Sequence, residues 1–219
     1  YNMAYSADTF VADEQPTTAK WNKLWSNDAS FNDGTGIGDD TIDSRHYVAG
    51  SVDYEHVGPD LAAYQELADV TLGSAGDSLS SGTITGKNFL RFYAYILTSG
   101  AVTTQLRFNG DSGNNYSFRY TADNTVGLSI TSSNNIGNFD GAANNPNSVY
   151  GEVVNYSGVQ KHGWATSING SSSAATAPSY VEFYYKWANT SSQITSIGFI
   201  NTGGGDFAIG SRIVVLGRD

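Results

Sequence analysis

Residues 87–98 read Lys87-Asn88-Phe89-Leu90-Arg91-Phe92-Tyr93-Ala94-Tyr95-Ile96-Leu97-Thr98, and residues 180–187 read Tyr180-Val181-Glu182-Phe183-Tyr184-Tyr185-Lys186-Trp187. Both runs are dense in aromatic and aliphatic side chains and show no polar stripe at helical spacing, so they read as β-strands. Apolar or aromatic residues occupy both alternating faces. That pattern predicts central strands covered on both sides. Outward from these runs the period stays at two. Further strands are expected near 69–73, 103–109, 116–121, 126–131, 149–156, 161–168, 193–200 and 211–217. Turn chemistry punctuates them at Asn109-Gly110, Asn134-Asn135, Asn144-Asn145-Pro146-Asn147, Asn169-Gly170 and Gly203-Gly204-Gly205. About ten short strands at this spacing specify an all-β fold, an antiparallel β-sandwich or jelly roll.

The chain preceding these strands has a different character. Residues 1–69 carry 13 Asp or Glu against three Lys or Arg, a balance of −10 that equals the net charge of all 219 residues. Residues 70–219 carry eight acids and eight bases. The charge switch divides the chain into an acidic N-terminal arm, residues 1–68, and a sandwich domain, residues 69–219. Within the arm, Pro16 suits a first helical turn, and Trp21, Leu24 and Trp25 follow at i, i+3, i+4 on one stripe. A second helical pattern runs from Pro59 to Leu67. The expected arm is therefore extended, with one or two short helices. A lone short helix with a Trp stripe is not stable in water and must dock on something. Trp21, Leu24, Trp25, Phe31 and Ile37 are the candidate assembly contacts, since buried aromatics dominate interface energetics.

Residue spacing bears on several chemistries. Gly76-Asp77-Ser78-Leu79 spells the signature of a serine esterase family, and Asp53-Tyr54-Glu55-His56 mimics its acid–base pair. The order is inverted, however: the pair precedes the serine, and the later His162 has no Asp three residues before it. A plain loop is the better reading. His46, His56 and His162 share no metal-ligand spacing. Asp39, Asp40 and Asp43 sit among glycines, and Asp111 lies near Asn114 and Asn115, but neither set has the ligand order of a calcium loop. Glu152 and Glu182 fall inside strands, where a polysaccharide-degrading enzyme keeps its carboxylates, yet spacing alone does not pair them. No catalytic residue, metal ligand or cofactor is assigned. With no cysteine there is neither a disulfide nor a thiolate site. The acidity argues against nucleic acid as partner, because phosphate neutralisation needs a basic patch. No run of residues is long and apolar enough to be a membrane span.

Tyr150, Tyr156, Trp164 and Trp187 are the candidates for stacking on a sugar. The simpler role for each is to fill the core or a subunit interface, since a sandwich of this composition builds its core from aromatics.

Two stretches carry a resemblance. Phe10–Trp25, with Pro16-Thr17, Ala19 and Asn22, followed by Asp33-Gly34-Thr35-Gly36-Ile37, resembles the N-terminal segment of many tailed-bacteriophage virion proteins. Leu106–Ser117 and the ending Ile197–Gly217 are similar to the β-sandwich domain of the same class. The resemblance covers roughly a third of the chain. It implies a non-enzymatic virion structural protein at the particle surface, in a tail, a fibre or a capsid decoration. It also implies a homotrimer with other virion proteins as partners; a host-surface glycan is the partner on the alternative reading, a carbohydrate- or receptor-binding module.

Overall fold

In the computed structural model, residues 17–19, 22, 64–123, 125–139, 145–170 and 173–219 are described. The candidate contacts Trp21, Leu24, Trp25, Phe31 and Ile37, with His46, Asp53, His56 and the Asp39, Asp40 and Asp43 cluster, lie outside those residues. A compact unit spans Ala63–Asp219.

Eleven strands build it: β1 Gln65–Thr71, β2 Ser78–Ser80, β3 Phe89–Ile96, β4 Thr104–Phe108, β5 Tyr116–Ala122, β6 Thr125–Ser133, β7 Asn147–Val154, β8 Lys161–Asn169, β9 Ser179–Trp187, β10 Ile197–Asn201 and β11 Arg212–Arg218. Every pairing is antiparallel. Eight strands form one sheet in the order β1-β11-β3-β7-β8-β9-β5-β6, and β2-β10-β4 form the second. This is the all-β antiparallel sandwich that the alternating pattern predicts.

Aromatic side chains join the two sheets. Phe199 of β10 meets Phe92 of β3 edge-on, with ring centroids 6.2 Å apart. Phe139, in the segment after β6, sits 4.4 Å from Phe183 of β9 and 5.9 Å from Phe199. At the other end Phe108 of β4 packs on Tyr116, Tyr185 and Trp187 at 5.7 to 6.3 Å. Such pairs add specific geometry to the large apolar area they remove from water. Two glycines make room for the rings. A Cβ on Gly151 would lie 2.2 Å from the Phe92 ring, and one on Gly163 would lie 2.6 Å from the Tyr185 hydroxyl. That hydroxyl donates to the Glu152 carbonyl at 3.1 Å, so a buried phenol is satisfied.

Polar side chains hold the connections. Asn109 and Gly110 both have positive φ, which turns the chain from the small sheet to the large one. The Asn109 side chain accepts from the amides of Thr195 and Ser196 at 2.8 and 3.0 Å, and Asn155 accepts from Ile194 at 2.6 Å. These bonds use amides that a strand would otherwise present to a neighbour, so β10 begins at Ile197 rather than near residue 193. Lys161 is fully buried, its ammonium donating to the carbonyls of Val159 and Asn189 at 2.7 and 3.2 Å.

Three expectations change. Gln65, Glu66 and Leu67 are strand, not the end of a helix. Their helix-favouring composition is overridden by pairing with β11, and a register shift between Glu66 and Ala68 accommodates Leu67, which packs against the core. The sandwich thus begins ahead of the charge switch. The short β2 was not anticipated. Most consequentially, β3 and β9 are not covered on both faces: Leu90, Phe92, Ala94 and Ile96 are buried, while Tyr93 and Tyr95 are exposed. Phe183, Tyr185 and Trp187 are likewise buried, and Tyr184 is 64% exposed.

This alternation separates adjacent residues energetically. Phe183→Ala should lower stability by about 3–5 kcal/mol, the range for emptying a buried aromatic site. Tyr184→Ala should stay within about 0.5 kcal/mol of the parent, as surface substitutions do. Chemical denaturation of the two variants checks the pair.

Candidate binding face

The outer face of the eight-stranded sheet follows from register. Arg91, Glu152, Trp164, Tyr184 and Arg119 occupy consecutive positions across β3, β7, β8, β9 and β5. One step along the strands lie Phe89, Val154, His162, Lys186 and Ser117; one step the other way lie Tyr93, Tyr150, Thr166, Glu182 and Thr121. Because side chains alternate at every residue, all of these stand on one surface. Tyr93, Tyr95, Tyr150, Trp164 and Tyr184 are exposed on it, between 37% and 64%.

Two hollows mark the surface. One, of about 240 Å³, is lined by Tyr64, Phe89, Glu152, Val154, His162 and Trp164 among others. The other, of about 420 Å³, is lined by Ser117, Arg119, Ser129, Thr131, His162, Tyr184 and Lys186 among others. They share His162 and Gly163.

Charge is arranged unevenly across the face. Arg91 is paired with Glu152 at 2.5 Å, and its guanidinium also lies over the Tyr64 ring at 4.3 Å. Arg218 stacks over Tyr64 and Phe89 at 5.2 and 5.3 Å, and Arg212 is paired with Asp69. Elsewhere Lys87 meets Asp219 at 2.7 Å, and Arg107 donates to the Asn134 carbonyl at 3.0 Å. With buried Lys161, six of the eight Lys and Arg in residues 64–219 have a partner. Arg119 and Lys186 have none among the described residues. Both line the larger hollow.

The sugar-stacking candidates divide. Trp164 is 41% exposed on this face. Tyr150 stands beside Tyr93, their rings edge-to-face at 5.8 Å. Tyr156, just past β7, is exposed and meets Phe89 edge-on at 5.6 Å. Trp187 does not belong with them. It is 1% exposed, stacks on Tyr116 at 6.3 Å, and donates its indole N–H to Asp111 at 2.7 Å. Trp187 falls on the core face by the same alternation that places Tyr184 outside. Tyr93, Tyr95, Tyr184, Arg119 and Lys186 escaped the sequence reading. Strict parity along β3 and β9 is the signal that finds the three tyrosines.

The other spacing candidates have structural roles. Both Asp111 carboxylate oxygens are occupied, one by the Gly113 amide at 2.8 Å and the other by Asn115 and Trp187 at 2.9 and 2.7 Å. Asp77 accepts from the Asn201 side chain at 2.8 Å, and Leu79 is fully buried, so Gly76-Asp77 leads into β2, of which Ser78 and Leu79 are the first two residues. Ser78 lies in the three-stranded sheet and His162 in the eight-stranded one. Glu152 is drawn toward β3 by Arg91, while Glu182 stands two strands away on β9.

No protein-family model, curated protein or solved structure matches the chain.

The Asp111 cluster has a pH signature. Burial alone would raise this carboxyl, but the bonds from Trp187, Asn115 and Gly113 outweigh it and hold the group below its ordinary value. A carboxyl lowered in the folded state stabilises above its unfolded value, and that contribution is lost as pH falls through the folded value. Asp111→Asn should therefore melt earlier than the parent at neutral pH and show a shallower acid limb. Melting curves across the acid range measure both.

Proposed function

We propose that this chain is a non-enzymatic structural protein of a tailed-phage particle. The N-terminal segment joins it to the particle or to sister copies, and the sandwich is presented outward, in a homotrimer. The observation that carries the reading is the outer sheet face, where Tyr93, Tyr95, Tyr150, Trp164 and Tyr184 are exposed together. Five large aromatic side chains exposed on one sheet face, interleaved with charged residues, are the composition of a contact surface. The absence of cysteine supports the same view, since the fold draws stability from burial and gains more from any partner that binds the folded form. The resemblance of Phe10–Ile37 to virion N-terminal segments supplies the docking end.

Deleting residues 1–40 should leave a sandwich that melts cooperatively but neither trimerises nor incorporates into particles. Trp25→Ala should reduce assembly more than it reduces melting temperature. Light scattering and particle incorporation decide the matter: a truncated chain that is still trimeric and still incorporated removes the arm from the proposal.

A second reading, a carbohydrate- or receptor-binding module on the same surface, draws on Trp164 and Tyr184. These rings are directly paired across β8 and β9 and flank the two hollows. Aromatic rings with one exposed side stack on the apolar faces of sugars. On that reading Trp164→Ala loses glycan binding with its fold intact, whereas Trp187→Ala loses the fold.

A further inference from the structure

The larger hollow differs from the rest of the face in its electrostatics. Arg119 on β5 and Lys186 on β9 are diagonal neighbours, because Arg119 pairs with Tyr184 and Ser117 pairs with Lys186. Diagonal positions across a strand pair lie about 7–8 Å apart, close enough for two like charges to repel. No carboxylate lines the hollow. The nearest acids on the face are Glu182, which pairs with Thr121 and so stands diagonal to Arg119 on the side away from Lys186, and Glu152, which Arg91 already neutralises. These are also the two cations that the rest of the described sandwich leaves without a partner, although the chain as a whole is at −10 and has acid to spare. An ion lying between them would relieve the repulsion and accept charge-assisted bonds from both.

The ring between them fixes the class of ion. Tyr184 is opposite Arg119 and two residues along the strand from Lys186, with 64% of its surface open. Trp164 is its partner on the far side, and Ser117, Ser129 and Thr131 add hydroxyls on the near side. Two adjacent aromatic faces, two cations and three hydroxyls suit a sugar bearing a carboxylate or a sulfate. The two hollows adjoin at His162 and Gly163, which line both, and together they give room for more than one sugar residue. A single-stranded nucleic acid shares the need for stacking and cations, but its phosphate track requires an extended basic groove, and here there are two cations in an acidic chain.

We propose that the hollow bounded by β5, β6, β8 and β9 binds an acidic polysaccharide, with Arg119 and Lys186 holding its carboxylate or sulfate and Tyr184 and Trp164 stacking on its rings. The proposal rests on reading the outer face as a recognition surface, and it adds the charge of the ligand.

The test uses the full chain against four immobilised probes: a polyuronate, a sulfated polysaccharide, a neutral glucan and a single-stranded oligonucleotide. Binding to the polyuronate or the sulfated polymer, weakening as salt rises, is expected, and the stronger of the two names the anion. Arg119→Gln and Lys186→Gln should each weaken it about tenfold, the loss expected for one charge-assisted bond. Tyr184→Ala should do the same, while Arg107→Gln on the small sheet changes nothing. Melting curves confirm that each variant is folded. Binding to the neutral glucan alone, indifferent to Arg119→Gln, overturns the proposal and leaves a recognition face standing. Equal binding to the oligonucleotide overturns it in favour of general anion capture. Absence of binding to all four overturns it as well, without touching the particle-incorporation test of the structural reading.

Discussion

Phe139 touches Phe183 on the large sheet and Phe199 on the small one, and Phe199 touches Phe92. This run of rings is where two sheets of unequal size are joined. Three strands and one loop segment can cover only one face of eight strands, and the covered face takes Phe92, Phe183, Tyr185 and Trp187. The opposite face is left to solvent with its own tyrosines and tryptophan. The glycines at 151 and 163 belong to the same constraint, since each gives up a side chain so that a neighbouring ring can lie flat in the core. The exposed aromatic surface is thus a consequence of the two-layer architecture and of a sequence that is aromatic on both faces of its strands.

The strands themselves were legible because a period of two survives in almost every segment from β3 to β11. What misled was the content of the two faces. In β3 and β9 the outward positions are Tyr93, Tyr95 and Tyr184, whose hydrophobic bodies look like core residues in a linear reading. Parity with Phe92 or Phe183 separates them, and only pairing with a known inner neighbour reveals which parity is inside. Trp164 and Trp187 show the same limit. They look equivalent in sequence and end up on opposite sides of one sheet. Gln65–Leu67 failed for another reason: local composition favours a helix, and a partner strand about 150 residues later decides otherwise. Arg119 and Lys186 were invisible for a third reason, because a lone cation in a strand has no meaning until the other cations have found their partners.

The face also shows how an acidic protein can carry a small cationic site. Net charge sets the far field, and at physiological salt that field is damped within about 8 Å. Inside a hollow the local arrangement governs. Arg91, Arg212 and Arg218 are absorbed by Glu152, Asp69 and aromatic rings, so the cations left lining the larger hollow are Arg119 and Lys186. On the proposed reading, recognition and solubility fall to different parts of one chain.

The pairing of β1 with β11 has a bearing on how the molecule comes into being. The first strand of the sandwich hydrogen-bonds to the last, from Gln65–Gly217 to Thr71–Arg212, and β11 also borders β3. During synthesis β1 emerges early with no partner, and β3 waits with an open edge until Arg212–Arg218 has been made. Contacts of such long sequence separation are slow to form, because loop closure must precede the gain from pairing. The large sheet is therefore completed late, by insertion of one strand between two that were waiting for it.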